Sequence, residues 1–342
     1  MLAPMPSDRS PRVLHAPVEI AGQMMLSVLG QRELGVKATG FAPLHSFDYE
    51  PRPDIVPPRN RLGYLRAAAR AVGGHDLIHF YFGQSFLPRQ LDAPWLARAG
   101  KRIAVEFLGS DVRMPSVEAL RNPHYVRIEM EDDARATRVM RHWSRVTEGH
   151  VIVGDHSLDV TLAPHFPHIH VVGQRVDVRQ LIPAPPDPAA RRVRVLHSPT
   201  DIAAKGTEFV RRATTELIDE GAPIDYIEVQ GLSHRAALEV YRSADLVVDQ
   251  LCAGSYGVFA AEAMSLAKPV MCHLLPEIEA TYPPGMPVIN ANPDTIKRVL
   301  GDWVDQPGER HERGLASRAY AERIHDHRVV AGRLLDVYEM LP

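Results

Sequence analysis

Two short stretches of this chain hold side chains suited to gripping an anion and a diol. The first runs over residues 197–207, His-Ser-Pro-Thr-Asp-Ile-Ala-Ala-Lys-Gly-Thr, and places Lys205 beside Gly206 just where a strand should give way to a helix. An ammonium there, close to free helix amides, neutralises a diphosphate leaving group. A cation at a helix N-terminus is slightly disfavoured by the helix dipole, so the position invites an anionic partner. The chain has 39 basic residues, of which only Lys37, Lys101, Lys205, Lys268 and Lys297 are lysines, which makes a lysine at this spot more informative. The second stretch, residues 249–264, reads Asp-Gln-Leu-Cys-Ala-Gly-Ser-Tyr-Gly-Val-Phe-Ala-Ala-Glu-Ala-Met. Gly254 and Gly257 let the backbone approach a ligand closely. A helix beginning near Val258 offers its first amides and dipole to an anion. Glu262, one turn in, can accept both hydrogen bonds of a ribose diol. The plainer readings are a surface lysine and an ordinary strand–loop–helix with one solvated glutamate.

The first half of the chain supplies further candidates. Ala21-Gly22 follows the apolar residues Val13-Leu14 and can start a helix at a close-approach point. In residues 76–82, Asp-Leu-Ile-His-Phe-Tyr-Phe, strand alternation sets His79 and Tyr81 on one face and Phe80 and Phe82 on the other. A lone histidine in such a strand is most often a satisfied core residue. Residues 107–113, Phe-Leu-Gly-Ser-Asp-Val-Arg, follow a strand, so Asp111 and Arg113 fall at the carboxyl edge of a sheet. The alternative there is a turn with a helix N-cap at Ser110 or Asp111. The acidic run Glu129, Glu131, Asp132 and Asp133 reads as a solvated helix face. None of the 17 histidines shows ligand spacing on a helix, so no metal is expected. Cys252 and Cys272 read as buried free thiols. No Walker loop and no Gly-x-Ser-x-Gly elbow is present.

These residues must be positioned by alternating strands and helices. Strands are expected at 13–14, 76–82, 102–107, 150–153 and 168–172, with helices over 23–35 and 125–144. After the Pro-rich stretch 182–188, read as a linker, strands are expected at 194–196, 224–229, 246–249 and 269–272. Helices are expected at 206–220, 234–243 and 258–267, and the tail from Pro293 is mostly helical. Strands separated by helices of this length imply parallel βαβ units. Two such α/β halves enclose a cleft where the carboxyl ends of both sheets meet. The 342 residues suit two domains, and 45% hydrophobic with 24% charged residues suits buried cores. A net charge of -3 argues against nucleic acid as a partner. No run of apolar residues is long enough to span a membrane, and the first twelve residues lack the apolar core of a signal peptide, so a cytoplasmic location is expected.

Lys205-Gly206, Gly257, Glu262-Ala263-Met264 and Ala267-Lys268-Pro269-Val270, in this order and spacing, resemble the donor domain of the retaining glycosyltransferases of the GT-B fold, family four. Residues 13–23 resemble that family's first strand and glycine loop, and the stretches around His79 and Asp111 resemble its later acceptor-side strands. The resemblance implies two Rossmann-like domains facing across a cleft. It assigns residues 1–180 to acceptor binding and 181–325 to the donor, with 326–342 a C-terminal helix packing back on the first domain. It implies transfer of a sugar from a nucleoside-diphosphate sugar to an acceptor, with retention and without a cofactor. Lys205, Asp111 and His79 would be catalytic. Lys205, Gly22, Ser255, Tyr256, Gly257, Val258 and Glu262 would bind the donor. Two departures stand out: the family's first glutamate, which touches the transferred sugar, is replaced by Gly254, and no arginine occurs between Pro199 and Ala204. A non-catalytic sugar-nucleotide-binding partner and a sugar-nucleotide epimerase on the same fold are the alternatives.

Overall fold

The computed structural model describes residues 11–43 and 49–342. Residues 1–10, most of the stretch read above for a leader, lie outside them. The strands are β1 (Val13–Ala16), β2 (Ala38–Gly40), β3 (Leu77–Tyr81), β4 (Arg102–Phe107), β5 (His150–Val153), β6 (His168–Val171), β7 (Val193–His197), β8 (Ile224–Glu228), β9 (Leu246–Val248), β10 (Val270–Cys272) and β11 (Ile289–Asn290). The helices of the first half are α1 (Gln23–Glu33), α2 (Arg61–Gly73), α3 (Ala93–Arg98), α4 (Pro115–Arg121), α5 (Asp133–Val146) and α6 (Asp159–Leu162). Those of the second are α7 (Ile202–Lys205), α8 (Thr207–Asp219), α9 (His234–Arg242), α10 (Val258–Ser265), α11 (Pro276–Glu279), α12 (Ile296–Val304), α13 (Pro307–Ile324) and α14 (His327–Met340).

Two parallel sheets result. One has six strands in the order β2-β1-β3-β4-β5-β6, the other five in the order β11-β10-β9-β7-β8. Each reverses its direction of growth beside its first strand, and ligands of open α/β sheets bind at such points. Apolar residues alternate between the two faces of the first sheet: Leu14, Ile78 and Phe80 enter one core cluster, and Val13, Leu77 and Tyr81 the other. Both cysteines are buried and free. No described helix is long and apolar enough to cross a membrane.

Three local differences from the sequence expectations have physical causes. The expected helix over 125–144 starts only at Asp133, because Asp132 caps it by accepting from the Arg135 amide at 2.6 Å. The acidic run is not a solvated face throughout. Glu131 is buried, accepts from Arg113 Nη1 at 2.8 Å and binds the Tyr125 hydroxyl and the Ile128 amide. The Pro-rich stretch packs against the second half, where the Ala184 amide donates to the Leu266 carbonyl and Lys268 Nζ donates to the Ala184 carbonyl. The chain changes halves earlier, since Gln23 clamps the backbone of Arg175 while Val176 already enters the core of the second half.

The last helix returns to the first half. Val330, Leu334, Val337 and Tyr338 of α14 complete one of its cores. A Cβ on Gly30 of α1 would come within 2.4 Å of the His327 carbonyl oxygen, so only glycine lets the two helices meet this closely. The outgoing and returning segments run side by side. The Val176 amide donates to the His325 carbonyl at 2.9 Å, and the His327 amide donates to the Val176 carbonyl at 3.0 Å.

Beneath α1 and α14 lies a fully buried polar chain. Arg175 forms a two-pronged pair with Glu106 on β4, Nη1 to Oε1 at 2.5 Å and Nη2 to Oε2 at 2.8 Å. His79 Nε2 stands 3.3 Å from Glu106 Oε2, and its Nδ1 is 2.7 Å from the Tyr338 hydroxyl. That hydroxyl accepts from Gln31 Nε2, whose Oε1 meets His15 Nε2 at 3.0 Å, and His15 Nδ1 meets the Tyr81 hydroxyl at 2.8 Å. Burial lowers the pKa of both histidines, so they are neutral links. Removing one member of a buried pair strands the other charge without water. Arg175→Ala should therefore lose about 3–5 kcal/mol, and Tyr338→Phe about 1–3 kcal/mol, in urea unfolding. An Arg175→Ala protein as stable as the wild type would show that the pair does not hold the fold.

Candidate functional site

The loops after β1, β4, β5 and β9 converge on a cavity of 180 Å³ between the two sheets. Ile20, Ala21, Gly109 and Arg113 line it from the first half, and Gln250, Ser255, Tyr256, Gly257 and Val258 from the second. The structure thus brings together four of the donor residues read from the sequence. Glu262 lies four residues beyond Val258, on the same face of α10. It opens into a second, larger cavity of 620 Å³, shared with Leu26, Glu50, Ser233 and His234. The two cavities follow one helix face.

α10 can sit here because it is made of small residues. Ala260, Ala261 and Ala263 are fully buried, so the helix passes between β10 and α13. Its N-terminus is organised by Asp249, which is itself fully buried at the end of β9. Asp249 Oδ2 accepts from the Gly257 amide at 3.2 Å, and Oδ1 accepts from Lys205 Nζ at 2.7 Å. Lys205 also donates to Gln250 Oε1 at 2.9 Å, while Gln250 Nε2 donates to the Ser255 carbonyl. Lys205 therefore stands one side chain behind the first cavity, and Gln250 faces it. Asp201, at the place where a basic residue was missed, caps α7 through the Ala204 amide at 2.8 Å.

The Gly254 position is closed to a glutamate by its surroundings as well as by the sequence. Its φ is +82°, and a Cβ there would meet Leu275 Cγ at 2.8 Å. The loop is also fastened to the first half, because the buried Asn122 at the end of α4 donates to the Cys252 carbonyl at 2.9 Å. Tyr256 stacks on Tyr282 and shares a 3.0 Å hydrogen bond with His325 Nε2, which keeps its ring in the wall.

On the facing side, Gly22 adopts φ 75° at the start of α1, and its neighbours Ala21 and Gln23 reach the cavity. The α1 N-terminus is occupied by Glu19, whose carboxylate accepts from the Met25 amide at 2.8 Å and the Met24 amide at 3.4 Å. Asp111 shapes its loop by accepting from the Leu108 and Gly109 amides at 3.1 and 2.9 Å. It sits behind the lining residues Leu108 and Gly109, and its Oδ2 has no partner among the described residues. His79 is not brought to the cleft. It is 0% exposed, stacked on Tyr81 and sealed by Tyr338, so its role is in the polar chain of the core.

Two residues beside Glu262 lie outside the sequence expectations. His234 Nε2 donates to Glu262 Oε1 at 2.6 Å, and Tyr49 packs on the His234 ring with centroids 4.4 Å apart. Their signals were absent because neither lies in a motif. Arg113 lines the cavity opposite the α10 amides, and the Glu131 that orients it came from the run read as solvated.

Burial pushes the carboxyls of Glu19 and Asp111 up to about 7, against the amides that favour their charged forms. An acid whose folded pKa is raised holds its proton while the unfolded chain has lost it, so its contribution to stability falls as pH rises toward 7. The buried histidines, with lowered pKa, act in the opposite sense, and the carboxyl effect is read as a difference. Glu19→Gln should gain stability relative to the wild type between about pH 5 and about pH 7 in urea titrations. A constant difference across that window would count against a raised Glu19.

No family model matches the sequence, and no curated protein matches it. Solved structures do. Sucrose-phosphate synthase from Thermosynechococcus elongatus superposes with a TM-score of 0.62 at 13% identity, over 96% of this chain and 98% of that one. A glycosyltransferase from Rickettsia africae gives 0.61 at 12% identity, over 96% and 97%. HepE from Anabaena, solved in complex with UDP-glucose, gives 0.62 at 12% identity, over 97% and 100%. At this identity the likeness is one of fold, and it runs from end to end. With two parallel α/β halves enclosing a cleft lined by their carboxyl-edge loops, the chain has the GT-B fold of the glycosyltransferases it superposes on.

Proposed function

We propose that the protein is a glycosyltransferase that moves a sugar from a nucleoside-diphosphate sugar to an acceptor held against the first half, with retention at the anomeric carbon. The observation that carries this reading is the placement of α10: its amide-bearing N-terminus faces the cleft, and Glu262 follows one turn later on the same face. An anion at the helix start and a diol one turn along match a diphosphate joined to a ribose. The complex of HepE with UDP-glucose supports the same donor class.

In this reading the diphosphate leaves toward Lys205 and the Gly257 and Val258 amides. Asp249 fixes both Lys205 and the Gly257 amide, so the phosphate competes with a carboxylate for the same donors. Arg113, from the opposite wall, supplies the second cation that the 199–204 stretch lacks. The acceptor lies near Ala21 and Gly109, beside the Gly22 turn and the loop built by Asp111. Closure of the halves excludes water from the reacting carbon.

One observation favours the second reading, a non-catalytic partner that binds sugar nucleotides. Leu275 fills the space beside Gly254 where a sugar-contacting side chain would project. Incubating the pure protein with a panel of nucleoside-diphosphate sugars separates the two. Release of nucleoside diphosphate by the lone chain in the presence of acceptor establishes the transferase, while tight binding without turnover establishes the partner.

Lys205→Met strands Asp249, so we pair it with the double variant Lys205→Met/Asp249→Asn, which removes both charges. Both should lose about 100-fold or more in kcat, with the double variant folded as judged by circular dichroism. Unchanged turnover in the folded double variant would show that this pair does not serve the phosphates.

A further inference from the structure

The Glu262 carboxylate has one hydrogen bond from a side chain among the described residues, the 2.6 Å contact with His234 Nε2 at its Oε1. The donor comes from the start of α9, where Ser233 caps the helix. The ring it belongs to is covered from the other half of the molecule by Tyr49, tilted 36° at a centroid separation of 4.4 Å. Glu262, His234 and Ser233 line the 620 Å³ cavity, and Glu50 and Leu26 of the first half close it. That volume lies in the range of pockets that enclose a small organic ligand. A glutamate side chain has three rotatable bonds and reads a diol poorly unless one oxygen is held. Here one oxygen is tied by an imidazole N–H, and that imidazole is braced by a ring from across the cleft.

We propose that His234 is a positioning residue for nucleoside recognition: by holding Glu262 Oε1 it presents Oε2 to the ribose cis-diol, and Tyr49 locks this arrangement when the two halves close. The inference rests on the donor class proposed above. It adds that ribose, as opposed to deoxyribose, is recognised through a residue of α9, and that the nucleoside pocket is completed by a side chain of the acceptor-side half. No proton is transferred and no bond is made in this step.

The test is calorimetric binding of uridine, guanosine and adenosine diphosphates, each with its 2′-deoxy counterpart, to the full chain. A hydrogen bond to a charged group contributes about 1.5–3 kcal/mol, which corresponds to roughly 10–100-fold in affinity. The wild type should prefer at least one ribonucleotide over its deoxy form by about that factor. His234→Ala should reduce the preference to within about 3-fold while leaving the deoxy form bound about as well as before. His234→Gln, which keeps an N–H at similar reach, should restore part of it, and Tyr49→Ala should weaken the preference less than His234→Ala. Equal weakening of both nucleotides in His234→Ala, or an undiminished ratio in a folded variant, would overturn the positioning role and leave the donor class standing. Failure of the wild type to bind any of the diphosphates would overturn the donor class itself, and this assignment with it.

Discussion

A carboxylate and a guanidinium without access to water sit at the centre of the first half. Taking Glu106 and Arg175 out of solvent costs several kcal/mol per ion, and only close, two-pronged contact with further polar support compensates. The support is the chain through His79, Tyr338, Gln31, His15 and Tyr81, which draws on two strands and two helices. Because a buried pair tolerates little displacement, every element in that chain is held in register with β4. Arg175 is also where the backbone leaves the first half, and Gln23, at the start of α1, clasps it there. The position of the cleft wall at Ile20 and Ala21 is thus fixed from within the core, by charges that do not line the cavity.

The cleft itself is built from two helix N-termini that already hold carboxylates, Glu19 at α1 and Asp249 at α10. They are not equivalent. Glu19 has backbone amides for partners, and burial pushes its carboxyl up to about 7. Asp249 is paired with a lysine, so α10 keeps a cation beside its amides. One helix start thus meets a lone carboxyl and the other an ion pair.

Much of this was legible in the sequence, and for stated reasons. Apolar runs followed by helical spacing gave β1, β3, β4, β7, β8 and β9 and the helices α8, α9 and α10 within a few residues. The helix start at Val258, with Glu262 one turn on, was legible in the same way. What failed depended on partners far away in the chain. His79 has the spacing of a cleft residue, yet its hydroxyl partner is Tyr338, 259 residues on, and no local pattern records that. β2 and α2 went unread because β2 is only three residues long and α2 is rich in arginine, with little apolar periodicity. Glu131 looked solvated because its neighbours are acidic, whereas its own carboxylate turns inward to Arg113. His234 and Tyr49 belong to no motif, and their contact exists only when both halves are present.

The segments around Val176 and Asp326, through which the chain leaves the first half and later regains it, lie side by side as a parallel pair. A body joined to another by a single strand can swivel about it in all directions, whereas two adjacent tethers leave mainly one rotation, about the line joining them. The second half is therefore held to the first at this double connection and, at the α10 end, by the hydrogen bond from Asn122 to the Cys252 carbonyl. The width of the cleft is thus set at two separate places, the doubled chain connection and a single hydrogen bond.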